Sequence, residues 1–451
     1  MAIPAERTRP AVLTGFGRTA GTLAHVGDPA DADEVAELVL GAGPRGALAR
    51  GLGRCYGDAA QNAGGLVLGT AALDRVDVDP VVGVAIVGAG VVLDDLIRRV
   101  LPLGWFVPVT PGTSRVTVGG AIAADVHGKN HHADGSFGDH LVWIDLVDGR
   151  GALHRLEPGD PRFEATCGGL GLTGVIVGAG LRLLPVASSS IRVASRRVGD
   201  LDAMMAGLVE GDAAHRYSVA WIDLVGGGAV GRGVLEHGDH ADAGDVAGDP
   251  LAIPDARALP APPWVPTGLL NRATARLFNE AWYRRAADHD ERVVPYASFF
   301  HPLDRVDGWN RLYGEGGFVQ HQFVVPVGAE DAVAAAVERL RADRAPVMLA
   351  VLKRMGPGRG LLAFPQEGWT LAIDLPARWP GLRGLCDALD AITAAAGGRV
   401  YLVKDARLAP AAVPVMYPEL DAWRAIRDGL DPERRLRSDL DRRLGLAVEH
   451  A

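Results

Sequence analysis

Residues 111–132 read Pro111-Gly112-Thr113-Ser114-Arg115-Val116-Thr117-Val118-Gly119-Gly120-Ala121-Ile122-Ala123-Ala124-Asp125-Val126-His127-Gly128-Lys129-Asn130-His131-His132. The small residues from Thr117 to Ala124 let the backbone turn tightly against a bulky anionic ligand and present its N–H groups at close range. Imidazoles and a lysine follow, and these are groups that touch reactive atoms. A purely structural loop has no need of both. The four histidines His127, His131, His132 and His140 invite a metal reading, but no carboxylate or cysteine completes a usual ligand set at tight spacing. A single histidine beside a cofactor is the simpler account, and no metal is expected.

Two more glycine-rich stretches flank this one. Ala49-Arg50-Gly51-Leu52-Gly53-Arg54-Cys55-Tyr56-Gly57-Asp58 follows an apolar run and matches a nest of backbone donors for a pyrophosphate. It is not a Rossmann turn: its spacing is G-x-G-x-x-x-G, and no crossover helix follows in residues 59–65. Gly168-Gly169-Leu170-Gly171-Leu172-Thr173-Gly174-Val175-Ile176 leads small residues into a strand, and alone it reads equally well as core packing.

The remaining chain sets limits. With 451 residues, 48% of them hydrophobic, two domains are the natural division. A net charge of -9 without a basic stripe excludes nucleic acid as a partner. Three scattered cysteines, Cys55, Cys167 and Cys386, form neither a disulfide framework nor a CxxC zinc site. The start, Met1 to Thr8, lacks the regions of a signal peptide, and no run of about 18 apolar residues occurs. The expectation is a protein of the cytoplasmic side that is soluble or peripheral to a membrane.

Periodicity predicts a helix over 28–41, capped by Asp28 and closed by Gly41, and another over 93–100 with Leu93, Leu96, Ile97 and Val100 on one face. Short β-type runs are read at 46–50, 65–68 and 82–87. A new sheet begins between Leu181 and Val198. Residues 226–268, rich in Gly, Asp, Ala and Pro, read as a mobile loop, either a lid or an uninvolved insertion. Helices at 330–341 and 381–396 precede β-type runs at 347–351 and 399–403 in one sheet. The charged helical tail at 417–446 packs back on the first domain. On the strand at 318–325, Gln320 and Gln322 share one face and His321 takes the other.

The three glycine-rich segments, in this order and spacing, resemble the FAD-binding domain of flavoproteins of the vanillyl-alcohol-oxidase (PCMH) type. Many of those bond a histidine of the first glycine loop to the flavin; Arg54 stands at its counterpart, which implies noncovalent FAD. A closer resemblance rests on residues 49–61, Asp125 to His132, Phe300-His301-Pro302-Leu303-Asp304, Trp309-Asn310-Arg311-Leu312-Tyr313-Gly314 and Tyr401-Leu402-Val403-Lys404-Asp405. These are similar to the decaprenylphosphoryl-β-D-ribose 2'-oxidase family, the flavoprotein half of the epimerase that makes the arabinose donor for cell-wall arabinan.

The resemblance implies an α+β fold in two domains: an FAD-binding domain over 1–190, a substrate domain on an antiparallel sheet flanked by helices over 191–398, and a return to the first domain over 399–451. It implies oxidation of the ribose 2'-hydroxyl of a polyprenyl-phosphoryl pentose, with a separate NAD(P)H-dependent keto-reductase completing the epimerisation. Alternatives are a relative of the same fold acting on another sugar or alditol, or a flavin-binding partner protein without turnover. The implied cofactor residues are Gly51, Gly53, Arg54, Cys55, Tyr56, Gly57, Asp58, Gly112, Thr117, Val118, Gly119, Gly120, Ala124, His127, Gly174, Ile176 and Tyr401. Lys404 and His127 are the implied catalytic residues, with His127 the better proton relay at neutral pH, and the sequence leaves the base open between His127, Lys404 and a water. Tyr56, Trp221, Phe300, Gln320, Gln322, Lys353, Thr370, Ala372 and Lys404 are implied for substrate. Members of the family often carry a cysteine at position 372, a tyrosine at 300, an asparagine at 370 and a phenylalanine at 355; this chain has Ala372, Phe300, Thr370 and Met355. A lipid-linked substrate further implies membrane contact through apolar loops near Trp264.

Overall fold

The computed structural model describes residues 7–227, 229–253, 258–266, 268–286 and 288–447. Among the described residues its first part builds two larger sheets and a two-stranded pairing of Leu184–Pro185 with Trp105–Phe106. Strands Arg9–Thr14, Gly21–Gly27, Leu66–Gly69 and Ala47–Arg50 form one, antiparallel at its first pair and parallel thereafter. Strands Val76–Asp79, Val84–Gly88, Val175–Arg182, Leu141–Val147 and Leu153–Leu156 form an antiparallel second. Helix Leu93–Val100 keeps its anticipated bounds, because Leu93, Leu96, Ile97 and Val100 form one apolar stripe and all four are fully buried.

The helix anticipated over 28–41 is shorter, Ala32–Leu40, and its cap is Asp31 rather than Asp28. The Asp31 carboxylate accepts from the Glu34 amide, while Glu34 reaches back to the Ala30 amide, so two donors at the helix start are satisfied reciprocally. Asp28 lies one strand away, where its carboxylate receives Arg9.

The second part is an antiparallel sheet of eight strands in the order His289–Pro295, Ser190–Val198, Gly233–His240, Tyr217–Ile222, Leu349–Met355, Gly368–Pro376, Phe318–Pro326, Arg399–Val400. Helices Glu330–Ala342, Leu382–Ala395 and Leu201–Asp212 cover one face, and their buried residues join Phe323, Leu352, Leu371 and Ile373 in a single core. The mobile-loop reading of 226–268 is corrected here. Gly233–His240 is an inner strand, hydrogen-bonded on both sides. Its glycines and aspartates concealed a strand whose stability comes from two neighbours rather than from composition. Residues 254–257, inside the same stretch, lie outside the described residues.

The run anticipated over 399–403 is a strand only at Arg399–Val400; the chain then turns, with Lys404 and Asp405 amides bonding back to the Tyr401 carbonyl. The tail returns to the first part: Leu436 bridges Ala47, the Asp439 amide donates to Gln61, and fully buried Trp423 donates its indole N–H to the Ala165 carbonyl at 3.0 Å. Among the described residues no helix is long and apolar enough to cross a membrane.

Candidate functional site

The three glycine-rich segments converge. Gly51 follows the Ala47–Arg50 strand and abuts Thr117: a Cβ there would stand 2.2 Å from the Thr117 hydroxyl. Thr117 caps the short helix Val118–Ala123 by accepting from the Gly120 amide. The third segment closes underneath, with the amides of Gly168 and Leu170 bonded to the carbonyls of Ile122 and Ala123. Arg54 donates to the Arg115 carbonyl at 3.0 Å and stacks its guanidinium 4.9 Å from the Phe16 ring centroid.

Several anticipated cofactor residues serve the protein itself. Asp58 is held by both arms of Arg443 at 2.8 Å. Gly57 is glycine because a Cβ would meet the Asp405 carbonyl at 2.0 Å. Gly174 and Ile176 lie behind the site, against Leu146. Cys55 is a protonated thiol, pushed up to about 11 by burial.

The histidines separate. His131 takes the Gly356 amide on one nitrogen and faces Ser136 on the other; His132 contacts the His215 carbonyl and His140 the Asp134 carbonyl. His131 meets the end of the Leu349–Met355 strand through Gly356, whereas His127 meets a side chain on the face of the second-part sheet. Gln322 donates its amide to His127 Nε2 at 3.1 Å and to Thr370 at 2.9 Å.

The sheet explains that meeting. Antiparallel register sets Trp221, Val351, Ala372 and Gln322 directly opposite one another across four strands, so they form one row on the uncovered face. Lys353 and Thr370 form the adjacent row. Gln320 lies two residues from Gln322 on the same face, opposite Asp374. Gln320 and Gln322 are buried, so an edge strand facing water does not account for them. Lys353 donates to the Gly128 carbonyl at 3.1 Å, and Lys404 lies 5.5 Å from the Tyr56 ring centroid and 5.9 Å from that of Tyr401. Tyr401 stacks on Phe364 and donates to the Ala124 carbonyl at 2.6 Å.

Asp374, Tyr313 and Phe364 were not anticipated. Asp374 accepts from Gln320 at 2.5 Å and from Tyr313 at 3.3 Å. Period-two reading of Thr370, Ala372 and Asp374 along one strand would have found it. Phe300 lies elsewhere, stacked on Phe106 at 5.7 Å and edge-on to Tyr217 at 4.9 Å. Met355 is buried at its strand end, opposite Gly368.

Burial and mutual repulsion shape the electrostatics. Burial, with Lys404 and Lys129 nearby, pushes Lys353 down to about 7. Burial lowers Lys404 and raises Asp374, and each charge partly holds the other in place. Burial and the positive charges of Lys353 and Lys404 hold His127 neutral, well below the usual imidazole range.

Buried polar groups almost always have partners, yet among the described residues His127 Nδ1, Gln320 Oε1 and Gln322 Oε1 have none. The amides of Leu52, Gly53 and Arg54 likewise find no acceptor among the described residues. Free backbone donors at a glycine turn suit a pyrophosphate, and unpaired donors and acceptors beside two amines suit a polar ring system and a hydroxylated substrate. These residues fit FAD.

Comparison with known proteins agrees. Residues 24–157 match the FAD binding domain family. The chain is 39% identical to the decaprenylphosphoryl-β-D-ribose oxidase of Mycolicibacterium smegmatis, over 96% of this chain and 97% of that one. It is 43% identical to an uncharacterised Streptomyces coelicolor protein of the mprA 5' region, over 79% of this chain and all of that one. It is also 27% identical to an alditol oxidase of a Streptomyces species, over 94% and 96%. Three converging glycine segments, a buried cationic site and near full-length identity lead to one assignment: the chain is an FAD-dependent oxidoreductase and belongs to the decaprenylphosphoryl-β-D-ribose oxidase family.

Proposed function

We propose that this chain oxidises the 2'-hydroxyl of decaprenylphosphoryl-β-D-ribose to the 2'-keto compound, the first half of the epimerisation that yields the arabinose donor for cell-wall arabinan. The observation that carries the proposal is the meeting of Lys353, Lys404, His127 and Gln322 on the one sheet face left free by the helices. A separate NAD(P)H-dependent keto-reductase completes the sequence, because the keto product must be reduced from the other face.

FAD, when bound, supplies the hydride acceptor. The Gly51 to Gly57 loop and Thr117 to Gly120 hold it noncovalently, since a guanidinium at Arg54 offers no imidazole nitrogen for a covalent link. Lys404 holds the reacting hydroxyl and, with its pKa lowered by burial, takes up its proton. With Gln322 donating to Nε2, His127 carries its proton on Nδ1 and so positions the hydroxyl as a donor instead of serving as the base. Lys353 meets the phosphate. Gln320, Gln322, Thr370, Ala372, Trp221 and Tyr56 line the sugar and prenyl side, and Tyr401 supports the ring system.

The test is anaerobic mixing of the yellow protein with decaprenylphosphoryl ribose. Bleaching of the flavin is the expected result; bleaching with free alditols but not with the lipid would transfer the assignment to the activity of the alditol oxidase relative. Lys404→Ala should retain its flavin spectrum and lose about 100-fold or more in reduction rate. Normal reduction by that variant removes Lys404 from the mechanism.

A further inference from the structure

The helix Arg272–Arg285 is built inside out. Its buried side is small or polar: Ala275 packs on the core, and Asn279 donates to the Asp223 carboxylate at 2.9 Å. Its outward side is apolar. Leu277, Phe278, Ala281 and Trp282 occupy positions that one helical turn brings together, and all four are exposed, Leu277 by 73%. The Phe278 and Trp282 rings stack on each other in the open, with centroids 6.1 Å apart. The segment leading in adds exposed Trp264 and Leu269.

Charge singles out this helix as well. The chain carries -9 overall, yet the helix holds Arg272, Arg276, Arg284 and Arg285 against one acid, Glu280, which is already paired with Arg232 and Arg284. Arg276 and Arg285 have no acidic partner among the described residues, and Arg341 and Arg344 crowd Arg272. An apolar stripe of this kind left in water is a liability unless something covers it. Aromatic side chains flanked by arginines match the boundary between acyl chains and anionic headgroups, where the stripe is buried and Arg276 and Arg285, without an acidic partner among the described residues, meet phosphates.

We infer that the Arg272–Arg285 helix docks this protein on the surface of an anionic lipid bilayer, its Leu277-Phe278-Ala281-Trp282 stripe inserted and Arg276 and Arg285 on the headgroups. The helix stands on the hairpin turn at Asp223, two residues from Trp221 in the site row, so docking places that end of the site toward the lipid. Such docking holds whatever the substrate proves to be.

The experiment is cosedimentation of the full-length flavoprotein with phosphatidylglycerol vesicles and with phosphatidylcholine vesicles. Wild type should pellet with the former and stay in solution with the latter, and added salt should release it. Phe278→Ser/Trp282→Ser, at two exposed positions, should keep the flavin spectrum and its detergent-solubilised reduction rate while losing about tenfold in vesicle affinity. Failure of wild type to bind, or equal binding by the double variant, overturns the inference. A concentration-dependent dimer that the double variant abolishes would do the same, assigning the stripe to a second copy of the chain. Flavin reduction in detergent reads the substrate assignment separately.

Discussion

Lys353 shows how much a single residue of this site costs the fold. Its ammonium shares a buried space with Lys404 and Lys129, and its pKa falls from 10.5 to about 7. Between those values the unfolded chain holds a proton that the folded chain does not, so stability rises with pH across that window and the penalty is full below about pH 7. Lys353→Met removes the penalty. The variant should be more stable than wild type by about 1–2 kcal/mol at neutral pH, with a flatter pH dependence of thermal unfolding, and should bind the lipid phosphate poorly. An unchanged pH profile would place the lysine in water. Retaining a destabilising amine makes sense only where an anion arrives to neutralise it.

At the scale of elements, the antiparallel register does the assembling. Trp221, Val351, Ala372 and Gln322 come from four strands that lie far apart in sequence, between residues 221 and 372, and only the pairing puts them in one row. That row gives a direct test. The three native cysteines are poorly reactive, because burial raises each thiol, Cys55 to about 11. Native wild type should resist iodoacetamide, whereas Ala372→Cys, facing the site between Val351 and Gln322, should gain one adduct by intact mass. Substrate should slow that labelling. For the same reason, electrophiles that trap a thiol at this position have nothing to bond in wild type. Strand alternation made Gln320 and Gln322 legible from sequence; Asp374, on the partner strand, needed the same reading applied to Thr370 and Ala372.

At the scale of the molecule, the C-terminal tail ties the first glycine loop to the turn that carries Lys404. Arg443 grips Asp58 with two hydrogen bonds and also contacts Asp405, whose other oxygen accepts the amides of Arg407 and Leu408. Arg443→Ala leaves buried Asp405 without its cation and should cost about 2–4 kcal/mol, with faster loss of FAD on dialysis; Arg443→Lys should recover part of both. Unchanged unfolding and flavin retention would reduce this clamp to a surface ion pair.

The sequence by itself determined that small residues with N–H donors sit beside an imidazole and a lysine, a local chemistry suited to a bulky anionic ligand, and the resemblance of its three glycine-rich segments named FAD as that ligand. The sequence also determined the helices with clean apolar stripes, because burial follows periodicity. Only the tertiary structure decided that 233–240 is an inner strand rather than part of a loop, that Asp374 joins the site, that Phe300 belongs to an aromatic cluster, and that Arg272–Arg285 turns its apolar side outward. Each of those depends on which distant segments become neighbours, and the energy of burial, pairing and register resides in those contacts.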